Sequence, residues 1–227
     1  MKINQIRSEL GTTQLIAVSK YQTIDAIKIL YDEGQRDFGE SRAQELAEKY
    51  AALPKDINWH FIGHLQTNKV RQVLPFLTCI QSVDSEKLLY EVARESQRIG
   101  KKIDVLLQLK VAQEETKYGF SAEDLHFLIK NIQKMQNNAN NNENVEKILF
   151  ENVVFCGIMG MASNTDDEMQ IKREFKALKS LFEQLKADFF KEDENFAHLS
   201  MGMSGDYKLA VAAGSTMVRI GSLLFEQ

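Results

Sequence analysis

Eight times along the chain a short apolar run gives way to a stretch of helical periodicity, and this repeat restricts the fold more than any other feature. Residues 14–20 are almost continuously apolar, as a parallel strand covered on both faces must be. Thr23 then reads as a helix cap, Ile24, Ile27, Leu30 and Tyr31 share one helical face, and Gly34 supplies a left-handed stop. Further strands are expected at 37–40, 59–63, 79–83, 103–109, 153–159, 198–201 and 216–221. Between them lie helices at 43–52, at 67–74, from Ser85 to a stop at Gly100, from Ser121 onward, and at 207–213. Thr165 to Glu168 matches a capping box, and Ile171, Phe175, Leu178, Phe182, Leu185 and Phe189 follow at helical spacing. With a helix ahead of the first strand and short connections throughout, the rhythm predicts the α/β class and a single (β/α)8 TIM-like barrel. An open doubly wound sheet built from the same units is the alternative.

One such barrel accounts for all 227 residues, of which 44% are hydrophobic and 26% charged, far from the composition of disordered chains. Residues 1–227 therefore read as one domain. Residues 137–144 hold six asparagines and cannot pack, so an Asn-rich insertion loop is expected at about 136–146. With 28 Lys and Arg against 32 Asp and Glu, the net charge of -4 removes the footprint of a non-specific nucleic-acid binder. The N-terminal residues lack a signal-peptide core and nowhere do about 18 apolar residues run together, so a soluble cytoplasmic protein is expected. Cys79 and Cys156 each sit in an apolar run and are expected as free core thiols.

In a barrel, the residues at the carboxyl ends of the strands share one mouth, and sites are built there. The candidates are Ser19 and Lys20, Glu40 and Ser41, His64 and Gln66, Lys110, residues 159–163, residues 201–206, and Gly221 with Ser222. Gly202, Ser204 and Gly205 after the seventh strand, and Gly221 with Ser222 after the eighth, are rich in backbone N–H and hydroxyl donors. That is the chemistry of a phosphate seat. Lys20 closes an apolar strand, and an ammonium emerging beside apolar walls loses hydration, which frees the amine to attack a carbonyl. A snorkelling surface lysine is the alternative. His60 and His64 lie four apart on a strand rather than a helix, so no metal site is expected. Neither a G-x-G-x-x-G nor a P-loop signature occurs.

Several blocks carry a more specific signal: Ala17-Val18-Ser19-Lys20, Phe38-Gly39-Glu40, the run from Trp59 to Lys69, Lys117-Tyr118-Gly119-Phe120, the run from His198 to Ser204, and Val218-Arg219-Ile220-Gly221. In this order they resemble the pyridoxal phosphate homeostasis protein family. The resemblance implies a barrel like the N-terminal domain of bacterial alanine racemase. It also implies a bound pyridoxal 5'-phosphate (PLP), held as a Schiff base, the internal aldimine, on Lys20. It assigns phosphate contacts to Ser204, Gly221 and Ser222, with Met203 in the same cofactor-binding set, and it sets Arg219 against the pyridine nitrogen. A guanidinium keeps its proton and so leaves that nitrogen unprotonated, which weakens PLP as an electron sink. The implied role is a monomeric cytoplasmic carrier that buffers PLP or delivers it to apo PLP-dependent enzymes, with no catalytic residue of its own and no nucleic-acid or membrane partner. A racemase-type enzyme using Lys20 as its single base is the alternative. Ser41 stands where the family pattern has asparagine, so no cofactor contact is assigned to it.

Overall fold

The computed structural model describes residues 2–111, 118–138 and 150–225, and in it the eight apolar runs close into a parallel barrel. The strands are β1 (Gln14–Val18), β2 (Asp37–Glu40), β3 (Asn58–Phe61), β4 (Cys79–Val83), β5 (Ile103–Gln108), β6 (Val153–Met159), β7 (His198–Met203) and β8 (Met217–Ile220). Closure is made by β8 returning to β1, with Leu15 opposite Val218 and Ile16 opposite Arg219. An open sheet has no such pairing, so that alternative is excluded.

Around the barrel lie α1 (Lys2–Leu10), α2 (Ile24–Asp32), α3 (Ala43–Ala52), α4 (Val70–Val73), α5 (Glu86–Ile99) and α6 (Ala122–Asn138). They are followed by α7 (Glu168–Phe189), α8 (Tyr207–Ala212) and α9 (Ser222–Phe225). Local chemistry explains the boundaries. The Thr23 hydroxyl accepts from the Ala26 N–H and the Ser85 hydroxyl from the Leu88 N–H, so α2 and α5 begin where their caps predict. Gly100 takes a left-handed φ of 64° and ends α5. At α7 the expectation is corrected: the cap is Asp167, not Thr165. The Asp167 carboxylate accepts from the N–H groups of both Met169 and Gln170, and its charge suits a helix start better than a hydroxyl does. The expected helix at 67–74 breaks into a 3-10 turn at Thr67–Lys69, α4, and a second 3-10 turn at Leu74–Phe76, because Pro75 has no N–H to continue the ladder. The first two asparagines of 137–144 belong to the end of α6, and the rest of that expected loop lies outside the described residues.

Alternation along the strands sorts apolar side chains into two places. Phe38, Trp59, Val218, Ile220 and Phe175 belong to the large cluster between barrel and helices. Ile16, Cys79, Leu106, Cys156, Met159 and Met217 form a small separate cluster in the barrel interior. Both cysteines are free and buried, as expected. Where β6 meets β7, Gly157 adopts φ +147°, and a Cβ there would lie 1.8 Å from the His198 carbonyl oxygen. This bulge position accepts glycine alone. At the helical rim, α1 is tied near its C-terminal end: Arg7 donates to the Glu33 carbonyl and to Gln35, while Glu9 accepts from the Tyr207 hydroxyl and pairs with Lys208. Those contacts, Tyr207 first, hold the Glu9 carboxyl down at about 2. Among the described residues no helix is long and apolar enough to cross a membrane.

Candidate functional site

Barrel closure puts β7, β8 and β1 next to one another, and the loops at their carboxyl ends meet at the mouth. Ser204, after β7, accepts a hydrogen bond from the Gly221 N–H, after β8, at 3.3 Å. An ideal Cβ on Gly221 would in turn lie 3.3 Å from the Val18 carbonyl oxygen of β1, so backbone runs close to backbone there. Gly205 and Ser222 are exposed beside this junction. The two segments expected to form a phosphate seat are thus brought together. One detail differs from expectation: the Gly221 N–H is already engaged by Ser204, whose hydroxyl keeps a hydrogen to donate. Met203 ends β7 with its side chain 39% exposed, and its N–H is taken by Asp206 Oδ1 at 2.6 Å. Burial raises the Asp206 carboxyl above its ordinary value, against the opposing pull of the Met203 N–H and the Arg219 charge.

Lys20 departs from the sequence reading. β1 stops at Val18, and Lys20 sits exposed in a turn closed by the Gln22 N–H on the Ser19 carbonyl at 3.0 Å. Its side chain therefore stands in solvent rather than closing the strand. Its backbone position is fixed. Tyr21 has φ +64°, a left-handed conformation that a bulky residue adopts only when its surroundings enforce it. Its N–H donates to Glu45 Oε2 at 3.1 Å, and its ring lies under the Arg42 guanidinium, which also donates to its hydroxyl.

On the other side of Lys20, the Ser19 carbonyl accepts from Lys49 Nζ at 2.7 Å and the Ser19 hydroxyl donates to Glu40 Oε1 at 2.8 Å. Lys49 joins the parts together: its ammonium meets Glu40 Oε1 at 2.5 Å and Glu45 Oε2 at 3.2 Å, with both Lys49 and Glu40 out of solvent. The sequence reading placed Ser19 and Glu40 as open mouth residues. The structure corrects this, since both are 0% exposed and belong to the clamp beneath Lys20. Lys49 and Glu45 were not among the candidates. The available signal was helical spacing, which puts Lys49 on the same inward face as Leu46.

Arg219 lies at the base of the mouth, 4% exposed, donating to Ser200 Oγ at 2.5 Å and to the Gly160 carbonyl at 3.0 Å. Burial brings its guanidinium down to about 10, with Asp206 acting in the opposite direction, so at neutral pH it carries its charge. Elsewhere on the rim, His64 Nδ1 meets Asp84 Oδ2 at 2.7 Å and its ring stacks on Tyr118. Ser41, Gln66 and His64 line a separate cavity of about 420 Å³ with Arg42 and Lys69. Lys110 is exposed at the end of β5. His60 points into the barrel rather than to the mouth.

The Lys20 amine thus stands on a braced turn after β1, hydroxyl and amide donors meet at the loops after β7 and β8, and Arg219 is buried on β8. Comparison with known proteins agrees with this chemistry. The family pattern of the alanine racemase N-terminal domain matches residues 2–227. The pyridoxal phosphate homeostasis protein of Synechocystis is 36% identical over 219 residues, covering 94% of this chain and 91% of that protein. The human protein of the same name is 38% identical over 224 residues, covering 93% of this chain and 75% of its own length. The chain belongs to the pyridoxal phosphate homeostasis protein family. Among solved structures, PipY of Synechococcus elongatus with PLP bound is similar with a TM-score of 0.83 and 32% identity, over 99% of this chain and 98% of that one. The alanine racemase of Clostridium difficile shares the fold at a TM-score of 0.71 and 13% identity, with this chain covering 55% of its length.

Proposed function

We propose that this chain binds pyridoxal 5'-phosphate on Lys20 and serves its homeostasis by buffering the cofactor and delivering it to apo PLP-dependent enzymes, without turnover chemistry of its own. The observation that carries this reading is the convergence of β7, β8 and β1, which sets the braced Lys20 turn beside the Ser204–Gly221 junction and above Arg219. The donor set fits the group: Ser204, Gly221 and Ser222 would receive the phosphate, and Met203 would flank it. Arg219 would face the pyridine nitrogen. When bound, PLP supplies an aldehyde that a lysine amine takes as a Schiff base with loss of one water, a linkage reversible by water or another amine. Arg219 remains a cation at neutral pH and would give that nitrogen a hydrogen bond rather than a proton, which would favour holding the cofactor over using it as an electron sink. We read the acting unit as a cytoplasmic monomer.

The test is titration of the purified protein with PLP, followed by borohydride reduction and mass analysis of the peptides, beside Lys20→Ala. A visible band and a reduced adduct on Lys20, both missing from the variant, are expected. Absence of an adduct on Lys20 in the wild-type protein removes the reading. Two further arms address carriage. The loaded protein should reactivate an apo PLP-dependent enzyme faster than the same concentration of free PLP, and α-deuterated amino acids incubated with it should keep their label. Lys20-dependent loss of deuterium would establish the racemase-type alternative instead.

A further inference from the structure

The interior of the barrel holds an unbroken line of polar side chains where stacked aliphatic residues are the norm. It starts at Arg219, near the mouth end of β8, whose NH1 donates to Ser200 Oγ on β7. The Ser200 hydroxyl donates to Gln81 Oε1 on β4, three strands away, at 2.7 Å. Gln81 Nε2 lies 3.1 Å from His60 Nδ1 on β3, and His60 Nε2 lies 3.3 Å from Asp37 Oδ1 at the first residue of β2. Asn58 also donates to that carboxylate. His60, Gln81, Ser200 and Arg219 are all at most 5% exposed, so water cannot substitute for a missing partner.

The inventory of donors fixes the sense of every link. A guanidinium only donates, so Ser200 Oγ must accept from it and spend its own hydrogen on Gln81. That uses the Gln81 carbonyl oxygen, and the remaining amide nitrogen must donate to His60. His60 Nδ1 therefore carries no hydrogen, Nε2 carries it, and the Asp37 carboxylate accepts at the far end. All the links run one way, from a fixed cation at the mouth to an anion at the opposite face. Hydrogen bonds aligned in this manner polarise one another. The Asp37 end behaves accordingly: burial pushes its carboxyl up, and the hydrogen bonds from His60 first, then Gln14 and Asn58, help to leave it below the ordinary value.

We propose that Gln81 and His60 are positioning residues for Arg219: the one-way chain from Asp37 sets the rotation of the guanidinium, and through it the hydrogen bond offered to the cofactor ring. The last step rests on the cofactor role proposed above for Arg219. The chain has no slack. Moving the imidazole hydrogen to Nδ1 sets N–H against N–H at the Gln81 link, and turning the Gln81 amide over sets its oxygen against the bare Nδ1 and deprives the Ser200 hydroxyl hydrogen of its acceptor. The Ser200 hydroxyl to which Arg219 donates is then free to rotate, and the Gly160 carbonyl is the other acceptor of the guanidinium in this group.

The first measurement needs no substitution: nitrogen NMR of the imidazoles in the cofactor-free protein. His60 should show a bare Nδ1 and a protonated Nε2. A protonated Nδ1 overturns the proposal outright. The second uses PLP as the probe with Gln81→Met, which fills the same space but cannot link Ser200 to His60. Gln81→Glu is the companion, because it accepts from Ser200 yet requires a hydrogen on His60 Nδ1. In both variants the adduct on Lys20 should still form, but with a displaced visible band and PLP affinity lower by about tenfold, the scale of one hydrogen bond to a charged group. Gln81→Glu should also move the hydrogen to His60 Nδ1. An unchanged band and affinity in folded variants that form the adduct sink the positioning role. If the wild-type protein forms no adduct, the cofactor reading fails, while the imidazole nitrogens still decide the chain.

Discussion

Lys49→Met is the substitution whose effect follows most directly from the structure. The Lys49 ammonium contacts Glu40 at 2.5 Å, Glu45 at 3.2 Å and the Ser19 carbonyl at 2.7 Å, with side-chain exposures of 7% for Lys49 and 0% for Glu40. Methionine keeps the length of the chain but leaves the Glu40 carboxylate buried with only the Ser19 hydroxyl, since Glu40 Oε2 already lacks a partner. Breaking a buried pair from one side costs about 3–5 kcal/mol, whereas a surface pair contributes about 0–1. For a chain of 227 residues each kcal/mol moves the melting temperature by about 2–4 °C, so a fall of roughly 6–20 °C is expected. Differential scanning calorimetry at neutral pH gives the number. The double variant Glu40→Gln/Lys49→Met buries no charge and should recover most of the loss. A drop below about 3 °C in Lys49→Met, or a double variant as unstable as the sum of its parts, would refute the clamp as an energetic unit. Because Lys49 also holds the carbonyl next to Lys20, the variant should capture PLP more slowly even below its melting range.

Other outcomes follow from single features. Gly157→Ala places a Cβ 1.8 Å from the His198 carbonyl at φ +147°, and a loss of at least about 3 kcal/mol in urea unfolding is expected. Glu9 has a folded value near 2, below its usual 4.5, so its contribution is complete above pH 4.5 and is lost as pH falls toward 2. Glu9→Gln should flatten the stability profile in that window and lower stability at pH 7, where the Glu9 contribution is complete. Burial pushes the Cys156 thiol up to about 12 and raises Cys79 well above its ordinary value, in each case mainly by desolvation. Neither cysteine should react with a thiol reagent at pH 8 until the protein is unfolded, and rapid labelling of the native protein would contradict the packing.

The barrel was legible because each strand is a short apolar run and each helix repeats at its own period, so local pattern and global fold agree. The helix starts at Thr23 and Ser85 were legible for the same reason, being capped within three residues. Asp167 was not, since the Thr165–Glu168 spacing offered a competing capping pattern two residues earlier. The phosphate-type loops could be read from their glycines and serines, but the contact between Ser204 and Gly221 joins residues 17 apart and depends on barrel closure. The polar chain was more remote still: Ser200 and Gln81 are 119 residues apart. Its one local trace is that His60, Gln81, Ser200 and Arg219 are polar residues inside otherwise apolar strands. Lys20 misled because an apolar run ending in lysine looks the same whether the strand continues or turns. What decides is Lys49 drawing on the Ser19 carbonyl from another element.

The turn at Lys20 divides the residue into a part that is held and a part that is free. Its peptide neighbours are gripped by Glu45 and Lys49, while the side chain stands in solvent. A lysine fixed by a ligand forfeits about 1.5–2 kcal/mol of rotamer freedom, which is tenfold or more in an equilibrium constant. Had the side chain been frozen in advance, that entropy would already be lost before any ligand arrived and could not be recovered when it left. On the role proposed for Lys20 it would be regained at each departure, so the fold would tilt the exchange toward release while the pinned backbone returned the amine to the same starting point for the next capture.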